Sequence, residues 1–488
     1  MSRTTTHLRQ SHAVVIGAGM GGLATAQALS RHFERVTLVE RDDLPARPAH
    51  RSGIPQGRHV HVLQPGGLAA LERLLPGFGA ELVASGAVRL DVPRDVCWLT
   101  AAGWMRPFER DQRTMLSATR ELIECVTRRL VLDTPQVIVR SGLEVTGLAV
   151  TEPAGPGAGA GRVRAVQVRP RGAASPEPTE SIVADLVVDA SGRRSHAPDW
   201  LAAAGYDRPD ESSVDADLAY ASRIYRRRPG DAGGRKALFL QARPPHTRRM
   251  GVLFPIEGDR WMLTVAGTNG DVPPTDEDGL LAFARGLRAP TIADAIERLE
   301  PLSPIVGYRR TENRRRHYES LRRMPDRFVV VGDATCAFNP VYGQGMAAAA
   351  LTAEALDRCL ADHLGRHPDL SGVSTVAQKA IAKANAGAWM VATGEDLRYP
   401  ETTGDKAGVA DRLVRRYLDR VLAAAAVDPV VQTAFFDVVA LVAEPTSLMR
   451  PALMARVLGR RHPAPDDERT PAPEPPPTAS RTLTPTPS

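Results

Sequence analysis

Residues 11–42, SHAVVIGAGMGGLATAQALSRHFERVTLVERD, contain a strand, three spaced glycines, a helix and a second strand in that order. His12–Ile16 is a short apolar run suited to a buried parallel strand, and it leads straight into Gly17, Gly19 and Gly22, the G-x-G-x-x-G spacing. Each glycine has a separate physical job. Gly17 makes the tight strand-to-helix turn, Gly19 lets backbone amides approach a pyrophosphate, and Gly22 lets the helix sit close on the strand. Ala24, Ala26 and Ala28 keep the helix slim, and its N-terminus presents a positive dipole end to phosphates. Arg35–Val39 is the second strand. Glu40 closes it about 20 residues beyond the glycines, where a carboxylate accepts both hydroxyls of an adenosine ribose. Together these features define a dinucleotide site, for FAD or NAD(P).

The polar segment that follows, RDDLPARPAHRSGIPQGRHVH, carries Arg41, Arg47, Arg51 and Arg58 with His50, His59 and His61. It reads either as a solvated loop or as one in which Arg58 or a neighbour reaches a phosphate while a histidine lines a pocket. Leu68–Leu75 predicts a short helix; Val88–Val92 and Val96–Leu99 predict strands. Thr119–Leu132 is an amphipathic helix with Arg120 in its first turn, where a cation is disfavoured unless an anion such as a cofactor phosphate lies nearby. Gln136–Arg140 is a further strand, and Leu143–Val150 pairs with Val163–Val168 across the Gly/Pro loop AGPGAGAG.

Ile182–Asp189 is again a buried strand, ending in Asp189-Ala190-Ser191-Gly192. From about Ala216 the hydrophobic period changes to two, with strands expected at Leu218–Tyr225, Ala237–Gln241, Met250–Pro255 and Trp261–Ala266. This stretch predicts a second, sheet-based domain roofing a substrate cavity. Arg327–Val331 then returns to the first domain and stops at Gly332-Asp333, before Pro340, Tyr342 and a helix beginning near Gly343. Glycines and a carboxylate at separate strand ends favour one long ligand, and so FAD over NAD(P).

The chain of 488 residues is long enough for two packed domains and a helical appendage. The formal charge of +6 is scattered arginine, and aromatics make up 5%, so no basic, aromatic-laced stripe points to nucleic acid. Cys97, Cys125, Cys336 and Cys359 show neither C-x-x-C pairing nor partner histidines, so buried thiols in a reducing compartment are expected and no metal site. No apolar signal core or membrane span is expected, since Val421–Ala443 is broken by Asp428-Pro429 and Asp437; the expectation is a cytoplasmic protein. The fold class is α/β with an α+β second domain. Its expected divisions are residues 1–212 (FAD-binding, first part), 213–300 (substrate-binding β-sheet domain), 301–365 (FAD-binding, second part), 366–461 (C-terminal helices) and 462–488 (disordered Pro/Thr-rich tail).

From about His12 to Pro400 the chain resembles the FAD-dependent monooxygenases of the para-hydroxybenzoate hydroxylase fold. Gly17, Gly19, Gly22 and Glu40 match that family's nucleotide fingerprint, with Arg41 beside it. Gly332 and Asp333 match its second FAD motif, whose aspartate binds the ribityl chain; Pro340 and Gly343–Met346, including Gly345, match the turn beside the flavin ring; Arg120 matches an FAD-contacting arginine. The family's middle motif reads G-A-D-G, and here Ser191 replaces its aspartate, which bears on nicotinamide use. Segments such as GIPQGRHVH, AYASRIYR and FNPVYGQGM are similar to actinobacterial polyketide-tailoring enzymes, including the polyene epoxidases of polyether pathways.

The resemblance implies FAD as cofactor, NADPH or NADH as reductant, with a separate flavin reductase as the alternative electron source. Oxygen would pass from a hydroperoxide at flavin C4a to an electron-rich, hydrophobic secondary metabolite. His61, Arg58 and Tyr342 are the candidates for pocket polarity. An alkene needs no base whereas a phenol is helped by one, which favours epoxidation of a polyketide alkene over aromatic-ring hydroxylation. A flavin-dependent reductase of isoprenoid double bonds is a further alternative; the W-x-W-x-I-P motif of flavin halogenases is absent from the sequence.

Overall fold

The computed structural model describes residues 8–459 except 109–112, 152–160, 175–177, 179, 310 and 405–408. Strand Leu8–Ile16 is central in a five-stranded parallel sheet ordered Phe328–Val330, Leu186–Asp189, Leu8–Ile16, Phe33–Val39, Val137–Arg140. Its side chains alternate between two cores. Ala13 and Val15 pack with Leu23, Ile123 and Leu356 of helices Met20–Leu29, Arg120–Leu132 and Gly345–Leu364. Val14 and Ile16 pack with Val166, Ile182 and Trp200 on the opposite face. Burial on both faces is why His12–Ile16 reads as an unbroken apolar run rather than an alternating one.

The hairpin pairing of Leu143–Val150 with Val163–Pro170 forms as the alternation predicts, and Glu180–Val183 adds a third strand. The Gly/Pro loop at residues 152–160 and the tail at 462–488 lie outside the described residues.

The second sheet has seven strands, ordered Val306–Tyr308, Ala219–Arg226, Arg260–Gly267, Arg249–Ile256, Ala237–Leu240, Val96–Thr100, Gly103–Trp104. Its period of two separates two environments. Leu253, Leu263 and Val265 pack under helices Glu277–Arg285 and Thr291–Ile296, whereas Met250, Val252, Phe254 and Thr264 face a large cavity. The hydrogen bonding does not follow a division at residue 213. Val96–Thr100, from the N-terminal portion, pairs in parallel with Ala237–Leu240, an association between distant segments that short-range periodicity does not encode.

After helix Gly345–Leu364 the chain forms helices Val373–Asp396, Val409–Ala425, Pro429–Val439 and Pro451–Leu458. Asp428-Pro429, which interrupts the apolar stretch, is a helix start. The Asp428 carboxylate accepts from the amides of Val430 (2.9 Å) and Val431 (3.3 Å), and proline occupies the first turn. Phe436 and Val438 of that helix join the core around Trp98 and Phe254. Among the described residues no helix is long and apolar enough to cross a membrane.

Candidate active site

The strand ends of the parallel sheet open into one cavity of 570 Å³, which continues beneath the seven-stranded sheet. At its first end the glycines separate by environment. Gly17 has φ +96° and donates its N–H to Val39 O at 2.8 Å; a Cβ there would lie 2.8 Å from Ala190 O. Gly19, the N-cap of helix Met20–Leu29, has no atom within 4 Å of where its Cβ would be. Its neighbourhood is an open cradle facing free helix amides. A Cβ on Gly22 would sit 1.8 Å from Gly17 O, and this residue does not line the cavity.

Glu40 is buried at the end of strand Phe33–Val39. Its Oε2 accepts from Ala18 N at 2.7 Å and its Oε1 from Asp42 N at 3.0 Å, which fixes the carboxylate; Oε2 also faces the Arg51 guanidinium at 3.3 Å, and Oε1 keeps a second lone pair. Arg41 lines the cavity with a half-exposed side chain.

Arg58 ends the short turn Pro55–Arg58; it is exposed and lies off the cavity lining, so the expectation that it reaches the pocket is corrected. The buried arginine of this loop is Arg51. Three carboxylates from two places converge on it: Glu124 of helix Arg120–Leu132 at 2.7 Å, and Glu40 at 3.3 Å and Asp42 at 3.6 Å just past strand Phe33–Val39.

Arg120 opens helix Arg120–Leu132, whose N-cap Thr119 accepts from Leu122 N at 3.2 Å. Glu124, one turn on, lies 3.5 Å from its guanidinium, so the chain itself supplies one anionic neighbour. Burial pulls the Arg120 pKa down, and its Nε is buried with no hydrogen-bond partner. Asp333, at the end of strand Phe328–Val330, also lines the cavity. Burial raises its carboxyl pKa, opposed by the charges of Arg193, Arg120 and Arg314. The Asp189–Gly192 loop is anchored from below: Asp189 accepts from Ser191 N at 2.9 Å and from the Ser195 hydroxyl.

Pro340, Tyr342, Gly343, Gly345 and Met346 line the next part of the wall. Gly343 has φ +64°, and Gly345 begins helix Gly345–Leu364 with open space around its Cβ position. The Tyr342 hydroxyl donates to Asp396 Oδ1 at 2.5 Å.

His61 lines the cavity with Nδ1 2.9 Å from His59 O; burial and the Arg120 charge lower its pKa to about 4. Its neighbour His59, which the sequence presents only as one of three loop histidines, is the more deeply set. It is 3% exposed, its Nδ1 is 2.8 Å from Ser222 Oγ, and it meets Tyr220 edge-on with ring centroids 4.4 Å apart. Burial, His61 and Arg58 lower its pKa to about 3. Beyond it the wall is apolar, with Trp98 stacked on Phe239 (5.0 Å, 19°) and closed by Phe436 of helix Pro429–Val439.

The open cradle at Gly19, the partnerless Arg120 Nε, and Asp333 among three arginines fit an elongated, diphosphate-bearing, hydroxyl-rich molecule such as FAD.

The profile of the NAD(P)-binding Rossmann-like domain family matches residues 15–62. The flavin-dependent brominase Bmp2 has a TM-score of 0.63 at 14% identity, covering 92% of this chain and 98% of that one. The probable FAD-dependent monooxygenase PqsL of Pseudomonas aeruginosa has a TM-score of 0.56 at 17% identity, covering 80% and 98%. The chain therefore has the fold of flavin-dependent monooxygenases and halogenases, a Rossmann-like α/β unit combined with an antiparallel sheet. Protein Rv3254 of Mycobacterium tuberculosis is 33% identical over 425 residues, 86% of this chain and 87% of that protein. This chain belongs to the family of Protein Rv3254.

Proposed function

We propose that this chain is an FAD-dependent monooxygenase using NAD(P)H and O2 to transfer oxygen to an electron-rich alkene of an apolar secondary metabolite, with a polyketide alkene favoured. FAD bound at this site would accept reducing equivalents and activate oxygen; the chain supplies binding, orientation and dryness. In this reading Gly17, Gly19 and Gly22 shape the pyrophosphate cradle, Glu40 holds the ribose, Arg120 meets the diphosphate, and Asp333 meets the ribityl hydroxyls. Pro340 and Gly343–Met346 face the ring. The helix N-terminus at Gly345 favours negative charge beside it.

The observation that carries the alkene preference is electrostatic. Of the three histidines that line the cavity, His59 and His61 have pKa values lowered to about 3 and about 4, so both are neutral and weakly basic at neutral pH, while His196 is exposed and lies beside Trp200. A phenol activated by proton removal needs a better base than that; an alkene attacks electrophilic oxygen with its own π electrons. The chamber lined by Trp98, Phe239, Met250, Phe254 and Phe436 suits a bulky hydrocarbon surface.

Aromatic-ring hydroxylation is the second reading. It is favoured by a phenolic wall hydroxyl coupled to a carboxylate, Tyr342 with Asp396, the latter's pKa raised by burial to about 6. The visible spectrum of the purified protein under anaerobic NADPH, followed by air, tests the oxidoreductase reading. Flavin bleaching and recovery are expected; a protein that never carries flavin sinks it. Product analysis with polyenes against phenols then separates the two substrate classes.

A further inference from the structure

Asp396 ends helix Val373–Asp396, is 2% exposed, and reaches the cavity wall from behind. Among the described residues every hydrogen bond to its carboxylate comes from a neutral donor. Oδ1 accepts from the Tyr342 hydroxyl at 2.5 Å and Oδ2 from Asn313 Nδ2 at 2.6 Å, while Asn339 Nδ2 lies 3.2 Å from Oδ2 and 3.4 Å from Oδ1. The two amides are themselves committed. Asn313 Oδ1 accepts from Asn339 N at 2.7 Å, and Asn339 Oδ1 accepts from Val341 N at 3.3 Å, inside the Pro340–Tyr342 turn. The network is thus complete for an ionised carboxylate. A protonated Asp396 would direct an O–H at a ring of donors, and the Tyr342 hydroxyl or an asparagine amide would have to turn away.

We propose that Asp396 is a positioning residue: acting through Tyr342 and Asn339, its carboxylate holds the Pro340–Gly343 turn against the cavity, and its protonation loosens that turn. The inference rests on the reading of this wall as the flavin-ring end of an FAD site. Burial raises the carboxyl pKa to about 6, against the three hydrogen-bond donors and with the help of neighbouring Glu395. The charged and titratable groups around it are few. Tyr342 comes from the turn and Glu395 from its own helix; Arg398, Arg415 and Asp419 act on Glu395, and Tyr399, which follows the helix, donates its hydroxyl to Thr247 O at 2.9 Å. No ion pair to Asp396 is formed among the described residues, so only the three neutral donors oppose burial and the carboxylate is held in the charged state without a counter-charge.

The test uses holoprotein. Wild type, Asp396→Asn and Tyr342→Phe are loaded with FAD at about pH 8, and flavin absorbance and FAD dissociation constant are followed down to about pH 5. In wild type a one-proton change in the flavin spectrum is expected near pH 6, with the dissociation constant rising about 3- to 10-fold as the turn loosens. Asp396→Asn should bind FAD more weakly by a similar factor at about pH 8 and show no such transition, and Tyr342→Phe should flatten it. A protein that binds FAD yet gives no transition in wild type, or the same transition in wild type and Asp396→Asn, overturns the positioning role and leaves the FAD reading standing. A wild type that binds no FAD at any pH overturns that reading and the proposal together. Should Asp396→Asn fail to fold, an unaltered transition in Tyr342→Phe overturns the coupling.

Discussion

The two ends of the cavity are built from different materials. At the strand ends of the parallel sheet the wall around the three glycines is backbone, with charged side chains such as Glu40, Arg120 and Asp333 set about it: amides after Gly19, a turn at Gly17, and a helix held against it because Gly22 has no side chain. Beneath the seven-stranded sheet the wall is side chain, with Trp98, Phe239, Phe254 and Phe436 brought from strands Val96–Thr100, Ala237–Leu240 and Arg249–Ile256 and helix Pro429–Val439. A backbone wall has one solution and rejects substitution. A side-chain wall can be reshaped residue by residue, at a graded cost in packing, and is where the choice of substrate would be made.

The sharpest way to break this contrast is to add atoms at the backbone end. Gly22→Val would place Cβ 1.8 Å from Gly17 O, and Gly17→Val would clash with Ala190 O at 2.8 Å while forcing φ +96° on a β-branched residue. Both variants, with Asp333→Ala beside them, are expected to purify colourless and poorly stable. Full flavin occupancy in the glycine variants would show that this end adapts like the other.

The same contrast explains what could be read in advance. Residues 11–42 were legible because strand, turn and helix are local and each glycine acts through its own backbone. The strands at Leu218–Tyr225 and Trp261–Ala266 were legible because one face packs under helices and the other faces the cavity, which enforces a period of two. Arg51 was not distinguishable from Arg58, since what selects it is the convergence of Glu40, Asp42 and Glu124 from two other elements. Asp396 reads in sequence as an ordinary helix-terminal aspartate; only the approach of Asn313, Asn339 and Tyr342 gives it a role. His59 outranks His61 in burial because Ser222 and Tyr220 of the second sheet close over it, again a long-range event.

At the chamber end the largest effect belongs to Trp98, 6% exposed and in contact with the rings of Phe239 and Phe436. Trp98→Ala should lower stability in urea by about 3 kcal/mol, the lower part of the range for deleting a buried aromatic, because one side of the ring already faces the cavity. Flavin occupancy should persist and the substrate range should widen. Loss of flavin instead would mean that the two ends do not behave independently.

A smaller effect is pH-dependent. The His59 pKa falls from 6.5 to about 3 on folding, so above pH 6.5 both states hold it neutral and it contributes nothing to pH dependence. Below pH 6.5 the unfolded chain binds the proton and the folded one does not, so stability falls as pH drops towards about 3. At pH 5 this amounts to about 2 kcal/mol. His59→Phe should show a shallower acid limb in urea titrations between about pH 6.5 and pH 5. Identical slopes in the two proteins would place the histidine in contact with solvent and weaken the argument for a dry wall.

The smallest effect concerns the closure of the chamber. Arg113, on strand Arg113–Ser117, forms a two-pronged pair with Asp437 of helix Pro429–Val439, Nε to Oδ1 at 2.6 Å and Nη2 to Oδ2 at 3.1 Å. Both side chains are partly exposed, at 31% and 20%, so solvent screens the pair. The helix has other moorings: Gln344 Nε2 donates to Val439 O at 3.3 Å and Gly66 N to Ala440 O at 2.9 Å. Asp437→Asn should therefore cost about 1 kcal/mol, leave flavin bound, and raise amide hydrogen exchange only between residues 429 and 443. Exchange that spreads to Gly343–Met346 would show that the moorings at Gln344 transmit disorder to the backbone-built end. Exchange confined to the helix would show that the cover of the chamber can yield while the cofactor cradle stays rigid, the mechanical form of the contrast between the two walls.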